Sequence, residues 1–272
     1  MRATEARLRA AGVVFAEREA EWLIECATGI DRAGALREPP VLDVDAAARL
    51  DALVARRVAG EPLQYVTGSA AFRHLELAVG PGVFIPRPET ELVAERAMER
   101  LPRGGTVVDV GTGSGALALA IAQERPDARV IATEVSRDAL VWAEKNRATL
   151  ELDAQLVASD LLTDLPAELA GGIDVVVANP PYVPETDKEF LPADVADHEP
   201  SVALFGSADG LAVIRRLACD ARAWLRSGGW LVLEIGHDQG ARVAHLLEQH
   251  GYVDVAISLD LAERERIAEG RR

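Results

Sequence analysis

Four consecutive residues, Asn179-Pro180-Pro181-Tyr182, set a planar amide, two rigid rings and an aromatic side by side. They follow Ile173-Asp174-Val175-Val176-Val177-Ala178, an apolar run of the kind that forms a buried parallel strand. The prolines stop the strand at Asn179, because neither can donate to a ladder. The side-chain oxygen of an asparagine there can accept one N–H of a planar NH2 group, and a backbone carbonyl beside it can accept the other. Pro180 has no N–H to compete, and the Tyr182 ring can pack on a flat substrate group. The chemistry that suits this set is methylation of a planar amine or amide nitrogen. In isolation the same residues could also do no more than end a strand in a loop.

A second chemical stretch lies upstream. Gly111-Thr112-Gly113-Ser114-Gly115 leaves the apolar run at 106–110 and opens a helical pattern at 116–124. Glycines at that junction allow a tight turn and close backbone approach to a ligand. Ala116 completes G-x-G-x-x-A, so at this point a nicotinamide or flavin cofactor is as open as any other nucleoside. Ser114 is no nucleophile elbow, since Thr112 replaces the glycine that G-x-S-x-G requires. Glu134 lies 23 residues after Gly111, at the end of a second strand pattern, where a carboxylate can hold ribose hydroxyls. Asp160 ends a third strand pattern and can accept from an adenine amino group.

These groups make sense only if the elements before them share one sheet. Strand and helix patterns alternate from residue 104 onward: strands at 106–110, 129–133, 154–158, 173–178 and 230–235, helices at 116–124, 138–149, 209–226 and 239–250. Segments 252–257 and 265–268 can add late strands. Such alternation predicts an α/β fold with a doubly wound, mostly parallel sheet. The glycine loop, Glu134, Asp160 and Asn179 then leave the same edge of the sheet, with Asn179 toward the transferring group. That layout is the one expected for S-adenosylmethionine. The acidic, proline-containing stretch 187–200 reads as a mobile loop or lid.

The first 60 residues read as a small helical domain, with apolar positions at Ala20, Leu23, Ile24 and Ala27 and again at Leu50, Leu53, Val54 and Val58. Asp45 can cap the second helix. Gly29, Gly34 and Pro39-Pro40 mark breaks between helices. Residues 61–88 read as a linker, with strands at 63–68 and 75–79 forming a β-hairpin, followed by Phe84-Ile85-Pro86-Arg87-Pro88-Glu89-Thr90-Glu91. The prolines there would fix Arg87 and Glu89 at the mouth of a site. Residues 89–272 form the third part.

Composition removes several classes. The formal net charge is −15; residues 1–80 carry 10 basic and 12 acidic side chains, and residues 81–272 carry 19 and 32. A surface that tracks phosphates would want the opposite sign, so direct nucleic-acid binding is not expected. Cys26 and Cys219 form no C-x-x-C, and the five histidines have no metal-ligand spacing. No metal is expected. No apolar run reaches membrane-spanning length and no signal peptide opens the chain. The expectation is a reduced, soluble, cytoplasmic monomer.

Taken together, the motifs resemble those of the peptide chain release factor N5-glutamine methyltransferases, the HemK-like family. The resemblance rests on Gly60-Glu61-Pro62-Leu63-Gln64-Tyr65-Val66-Thr67-Gly68, on Ile85-Pro86-Arg87-Pro88-Glu89-Thr90-Glu91, on Asp109-Val110 with the glycine loop, and on Asn179–Tyr182. Glu199-Pro200, Asp209-Gly210-Leu211 and Glu234-Ile235-Gly236 with Gln239 extend it. The resemblance implies a class I S-adenosylmethionine-dependent methyltransferase fold, Rossmann-like, behind a substrate-recognising helical domain. It implies cofactor binding by Gly111, Thr112, Gly113, Ser114, Gly115, Glu134, Asp160, Leu161 and Asn179. It implies that Asn179, Pro180, Pro181 and Tyr182 bind the glutamine of the Gly-Gly-Gln tip of class 1 release factors, with Asn179 the catalytic residue. Two departures stand out: Glu134 where the family usually has aspartate, and Leu161 where an aromatic is common. Because Asn-Pro-Pro-Tyr is shared with enzymes that methylate adenine N6 or guanine N2, a nucleic-acid amine remains the alternative substrate.

Overall fold

The computed structural model describes residues 1–37 and 41–272, so the expected break at Pro39-Pro40 lies outside the described residues. The chain divides into two compact units. One comprises Met1–Ser69 together with Pro192–His198; the other comprises Ala70–Leu191 and Glu199–Arg272.

In the first unit, helices Arg2–Ala10, Ala16–Thr28 and Val44–Val58 pack around Leu8, Ala20, Leu23, Ile24, Leu50 and Val54. The helical periodicity of the sequence therefore points at a real core, although Val58 is exposed and not part of it. The third of these helices starts one residue after Asp43, whose carboxylate accepts from the Ala46 N–H at 2.7 Å. Asp43 is therefore the cap and Asp45 sits in the first turn, a correction to the sequence expectation. A second correction falls at Leu63–Thr67, a short helix and not a strand. Its alternation looks strand-like, but Pro62 opens the turn and Gly68, at φ 82, closes it in the left-handed region. Arg57 is held between Glu19, at 2.6 Å, and Asp194, at 3.7 Å. Segment 187–200 carries a 3-10 helix, Glu185–Phe190, and a helix, Ala193–His198, where only a loop was expected.

The hairpin is formed by β1 (Ser69–Phe72) and β2 (Leu75–Ala78). The large unit then adds β3 (Thr106–Val110), β4 (Arg129–Glu134), β5 (Gln155–Ala158), β6 (Ile173–Ala178), β7 (Leu225–Glu234), β8 (Val253–Leu259) and β9 (Glu265–Arg271). Their order across the sheet is β5-β4-β3-β6-β7-β9-β8, parallel through β7 and antiparallel at β9 and β8. Alternate residues of each strand feed two cores. Val107, Val130, Val175 and Val177 meet helices Thr90–Arg100 and Ala116–Glu124. Val108, Ile131, Val176 and Leu231 meet helices Ala212–Trp224 and Gly240–Gln249. The chain winds outward from β3 to β5 and then returns to place β6 against the other edge of β3. That reversal is the switch point where open sheets of this kind bind ligands.

Candidate active site

The register of the central strands decides which residues meet. Val110 pairs with Ala178, so Gly111 and Asn179 leave the sheet side by side. Ala178 pairs in turn with Leu233, which puts Glu234 level with Asn179 on the next strand. A cavity of about 360 Å3 opens over these ends, within the usual range for a small-molecule site. It is lined by Gly111, Thr112, Gly113 and Ser114 of the glycine loop and by Glu134, Asp160, Leu161, Asn179, Pro180 and Pro181. The sequence-predicted residues therefore converge, with two exceptions: Gly115, which packs on Leu119 beneath the loop, and Tyr182. Tyr182 is half-buried against the core, outside the cavity lining, and its hydroxyl donates to Glu234 Oε1 at 3.1 Å. Arg87 and Glu89 also stay off the lining, while their neighbours Phe84, Pro86 and Thr90 are on it. Arg87 pairs with buried Glu199 and lies over the Phe84 ring at 4.7 Å, so it holds this segment from behind.

On the β3–β4 side the loop is shaped by the backbone. Gly111, Gly113 and Gly115 all have positive φ, and Gly111 N–H and Thr112 N–H both donate to the Thr133 carbonyl. The Glu134 carboxylate accepts from Gly113 N–H at 2.9 Å and from Ser136 N–H at 2.8 Å. A carboxylate has about four lone-pair positions, which leaves capacity for two ligand hydroxyls. Beneath the loop, Asp109 is 1% exposed; its Oδ2 accepts from Thr112 Oγ1 at 2.5 Å and Ala118 N–H at 3.1 Å. Its Oδ1 is buried with no hydrogen-bond partner among the described residues, and Asp109 lines the cavity. Burial pushes the Asp109 carboxyl up to about 7. Leu161 adopts φ 55, a left-handed conformation for a non-glycine residue. Asp160 is exposed and carries an ion pair to Arg216 at 2.8 Å, so its carboxylate already has a partner.

On the β6–β7 side the groups are held by side chains. Asn179 Nδ2 donates to Thr90 Oγ1 at 3.1 Å, and Thr90 Oγ1 donates to Glu234 Oε2 at 2.6 Å. Glu234 is 1% exposed, and burial pushes its carboxyl up to about 7 against the hydrogen bond from Thr90 and the charge of Arg266. Burial and the Glu234 charge raise the Tyr182 phenol. The backbone of the turn is clamped as well. Gln239 Nε2 donates to the Tyr182 carbonyl at 2.9 Å, and its Oε1 accepts from Gly236 N–H. A Cβ on Gly206 would lie 2.3 Å from the Pro181 carbonyl oxygen, and one on Gly210 would lie 2.2 Å from that of Tyr182. Only glycine lets the segment between the Ser201–Leu204 and Ala212–Trp224 helices pack this tightly on the turn.

Thr90, Asp109, Arg216 and Glu234 are site residues that motif reading did not assign. Glu234 and Asp109 left one signal: an acidic residue at or near the end of an otherwise apolar strand. Thr90 falls inside the Ile85–Glu91 motif, which gives no hint of its distant partner Asn179, and Arg216 leaves no signal at all.

Comparison with known proteins gives concordant matches. Residues 1–68 match the PrmC N-terminal domain family, and residues 76–193 match the methyltransferase small domain family. The release factor glutamine methyltransferase of Streptomyces coelicolor is 46% identical over 98% of this chain and 94% of its own length. That of Mycolicibacterium smegmatis is 46% identical over 99% and 95%. Among solved structures, a Thermus thermophilus 16S rRNA N2 G1207 methyltransferase in complex with AdoMet and guanosine is 26% identical, with a TM-score of 0.55. That match covers 75% of this chain and 49% of the other.

Proposed function

We propose a function from one premise: this chain belongs to the release factor glutamine methyltransferase family. It methylates the side-chain amide nitrogen of the glutamine in the Gly-Gly-Gln motif of class 1 release factors, using S-adenosylmethionine. The observation that carries this reading is the adjacency of Gly111 and Asn179 across β3 and β6, which sets a nucleoside-binding loop beside an amide-binding turn.

The residues on the β3–β4 side fit that cofactor. Asp109 Oδ1 is a buried acceptor without a partner among the described residues, suited to an ammonium group. Glu134 retains lone pairs for ribose hydroxyls, and Leu161 and Phe84 give apolar cover for a purine. Bound there, S-adenosylmethionine supplies an electrophilic methyl group. The protein's own task is to present the amide nitrogen, a poor nucleophile because its lone pair is delocalised into the carbonyl. Asn179 Oδ1 and the Pro180 carbonyl accept its two N–H bonds, which orient it and favour a more amine-like nitrogen. Asn179 cannot remove a proton, so the proton leaves after transfer. Tyr182 serves this site through Glu234 and through its backbone, with its ring off the cavity wall.

The helical unit contacts the release factor. Its own core is complete, yet Val14, Phe15 and Trp22 remain exposed. Protein charge supports a protein substrate over a nucleic acid, and a monomer is the expected state. Among the described residues, no helix is long and apolar enough to cross a membrane.

Labelled S-adenosylmethionine offered in parallel with release factor, duplex DNA and RNA tests the reading. Label should enter release factor and disappear when the Gly-Gly-Gln glutamine is replaced. Label entering only nucleic acid would overturn it.

A further inference from the structure

The side-chain amide of asparagine is nearly symmetric in shape, yet only one of its two orientations offers an acceptor to a substrate N–H. Something must choose between them. We propose that Thr90 and Glu234 are positioning residues that choose, by forcing the Asn179 NH2 group toward Thr90 and its Oδ1 toward the substrate. This inference rests on the reading that Asn179 accepts from a substrate amide.

The choice follows from counting hydrogens. Glu234 lies at the end of β7, level with Asn179, and its ionised carboxylate can only accept. Thr90 Oγ1 has a single hydrogen, and it points to Glu234 Oε2 at 2.6 Å. Toward Asn179 the hydroxyl therefore presents a lone pair. The amide group 3.1 Å away must meet that lone pair with an N–H. Turning the amide over would place two oxygens together with no hydrogen between them, at a hydroxyl that is itself buried. The polarity runs in one direction, from a buried negative charge through a hydroxyl to an amide.

Burial favours a proton on Glu234, and the pocket opposes it with the hydrogen bonds from Thr90 and Tyr182 and the charge of Arg266. Tyr182 OH donates to Glu234 Oε1 at 3.1 Å, which occupies the second oxygen. Arg266 favours the charged form of Glu234, donates to Tyr182 OH at 3.5 Å, and is itself paired with Asp260. Glu89 opposes it from the start of the helix that carries Thr90. A neutral amide at position 234 would weaken the rule, because its NH2 can face Thr90 and let the hydroxyl turn round to satisfy Asn179 Oδ1 instead.

A double-mutant cycle on the full-length protein tests this. Single-turnover methylation of release factor is measured at pH 8 and saturating S-adenosylmethionine for wild type, Thr90→Val, Thr90→Ser, Glu234→Gln, Asn179→Ala and the Thr90→Val/Asn179→Ala pair. Binding of S-adenosylhomocysteine and thermal melting report whether each variant is folded. Thr90→Val should lower the rate about tenfold or more, with release-factor KM and product affinity nearly unchanged. Thr90→Ser, which restores the hydroxyl, should recover most of that rate. Glu234→Gln, which retains size and shape, should lose severalfold. In the Asn179→Ala background Thr90→Val should add nothing, since Thr90 acts only through Asn179. A wild-type rate in Thr90→Val or in Glu234→Gln, or an equal loss from Thr90→Val with and without Asn179, would overturn the inference alone. A wild-type protein that leaves release factor unmethylated would overturn the functional reading and this inference with it.

Discussion

The two halves of the site are built from different materials. At the ends of β3 and β4, position is set by backbone: three positive-φ glycines, paired main-chain bonds to Thr133, and a Glu134 carboxylate pinned by two N–H groups. At the ends of β6 and β7, position is set by a side-chain chain running Asn179, Thr90, Glu234, Tyr182 and Arg266. A backbone cradle tolerates drift in the side chains around it, which is why glutamate at position 134 and leucine at position 161 are compatible with an intact loop. A side-chain relay does not, because each member's hydrogen count constrains the next. Substitutions in the first half should therefore act on cofactor affinity, and those in the second on turnover.

The largest expected effect is Asn179→Ala. Turnover should fall on the order of 10²–10³, the loss seen when one preorganised polar group is removed at a reacting centre. Affinity for S-adenosylmethionine, measured by calorimetry, should stay close to wild type. A variant that loses cofactor binding as severely as turnover would erase the division between the two halves. Asn179→Asp should also be slow, because a carboxylate stabilises the positive sulfonium more before transfer than during it.

Next comes Glu134→Ala, which should weaken cofactor binding by roughly 1.5–3 kcal/mol while leaving saturated turnover nearly intact. It should also lower the melting temperature slightly, since Gly113 and Ser136 N–H groups lose their acceptor. Turnover that collapses at unchanged affinity would show that the cradle does chemistry.

Asp109→Asn should separate stability from binding. The folded-state carboxyl titrates at about 7, well above its ordinary value, because it is buried. Between that ordinary value and about 7 the folded protein holds a proton that the unfolded chain has lost. Stability therefore declines as pH rises through this window and levels off above it. Glu234, raised in the same way, contributes a second such decline. Asp109→Asn should flatten part of the profile and raise the melting temperature at pH 8, because an amide can still accept from Thr112 and Ala118. It should at the same time weaken cofactor binding about tenfold, since an N–H2 would replace the free Oδ1. Melting curves across pH 5–8, with and without cofactor product, would show both.

Much of this frame was legible in sequence. Strand ends can be read from where apolar runs meet glycine, carboxylate or proline, so residues 111–114, 134, 160 and 179–181 all fall on one cavity. What stayed hidden was what depends on pairing across distance. Thr90 is separated from Asn179 by 89 positions and Asp160 from Arg216 by 56, and no local pattern links either pair. For Tyr182 an aromatic beside a site invites a stacking role, and nothing local shows that Glu234 gives its hydroxyl a buried partner and that its ring lies off the cavity lining. The Leu63–Thr67 helix was hidden because its caps, Pro62 and Gly68, outweigh five residues of strand-like alternation.

The smallest expected effect is Asp160→Ala, and it sharpens the comparison where the two halves look most alike. Asp160 stands at a strand end like Glu134 and faces the same cavity, so sequence gives both carboxylates equal weight. The structure does not. Glu134 is 8% exposed and fixed by two backbone donors, whereas Asp160 is exposed and shares its charge with Arg216, whose own side chain is 51% exposed. An exposed ion pair is screened by water and contributes little, on the order of 0–1 kcal/mol. An adenine amino group would have to share the Asp160 carboxylate with a guanidinium, at a place where water competes as well. Removing it should therefore cost cofactor affinity less than about fivefold, well below the loss from Glu134→Ala. Arg216→Ala should be of similar size and opposite sign, because it frees the carboxylate for the ligand. Calorimetric titration of S-adenosylhomocysteine against the two variants decides it. An Asp160→Ala loss as large as that of Glu134→Ala would mean that ligand binding displaces Arg216, and that this third strand end belongs with the cradle after all.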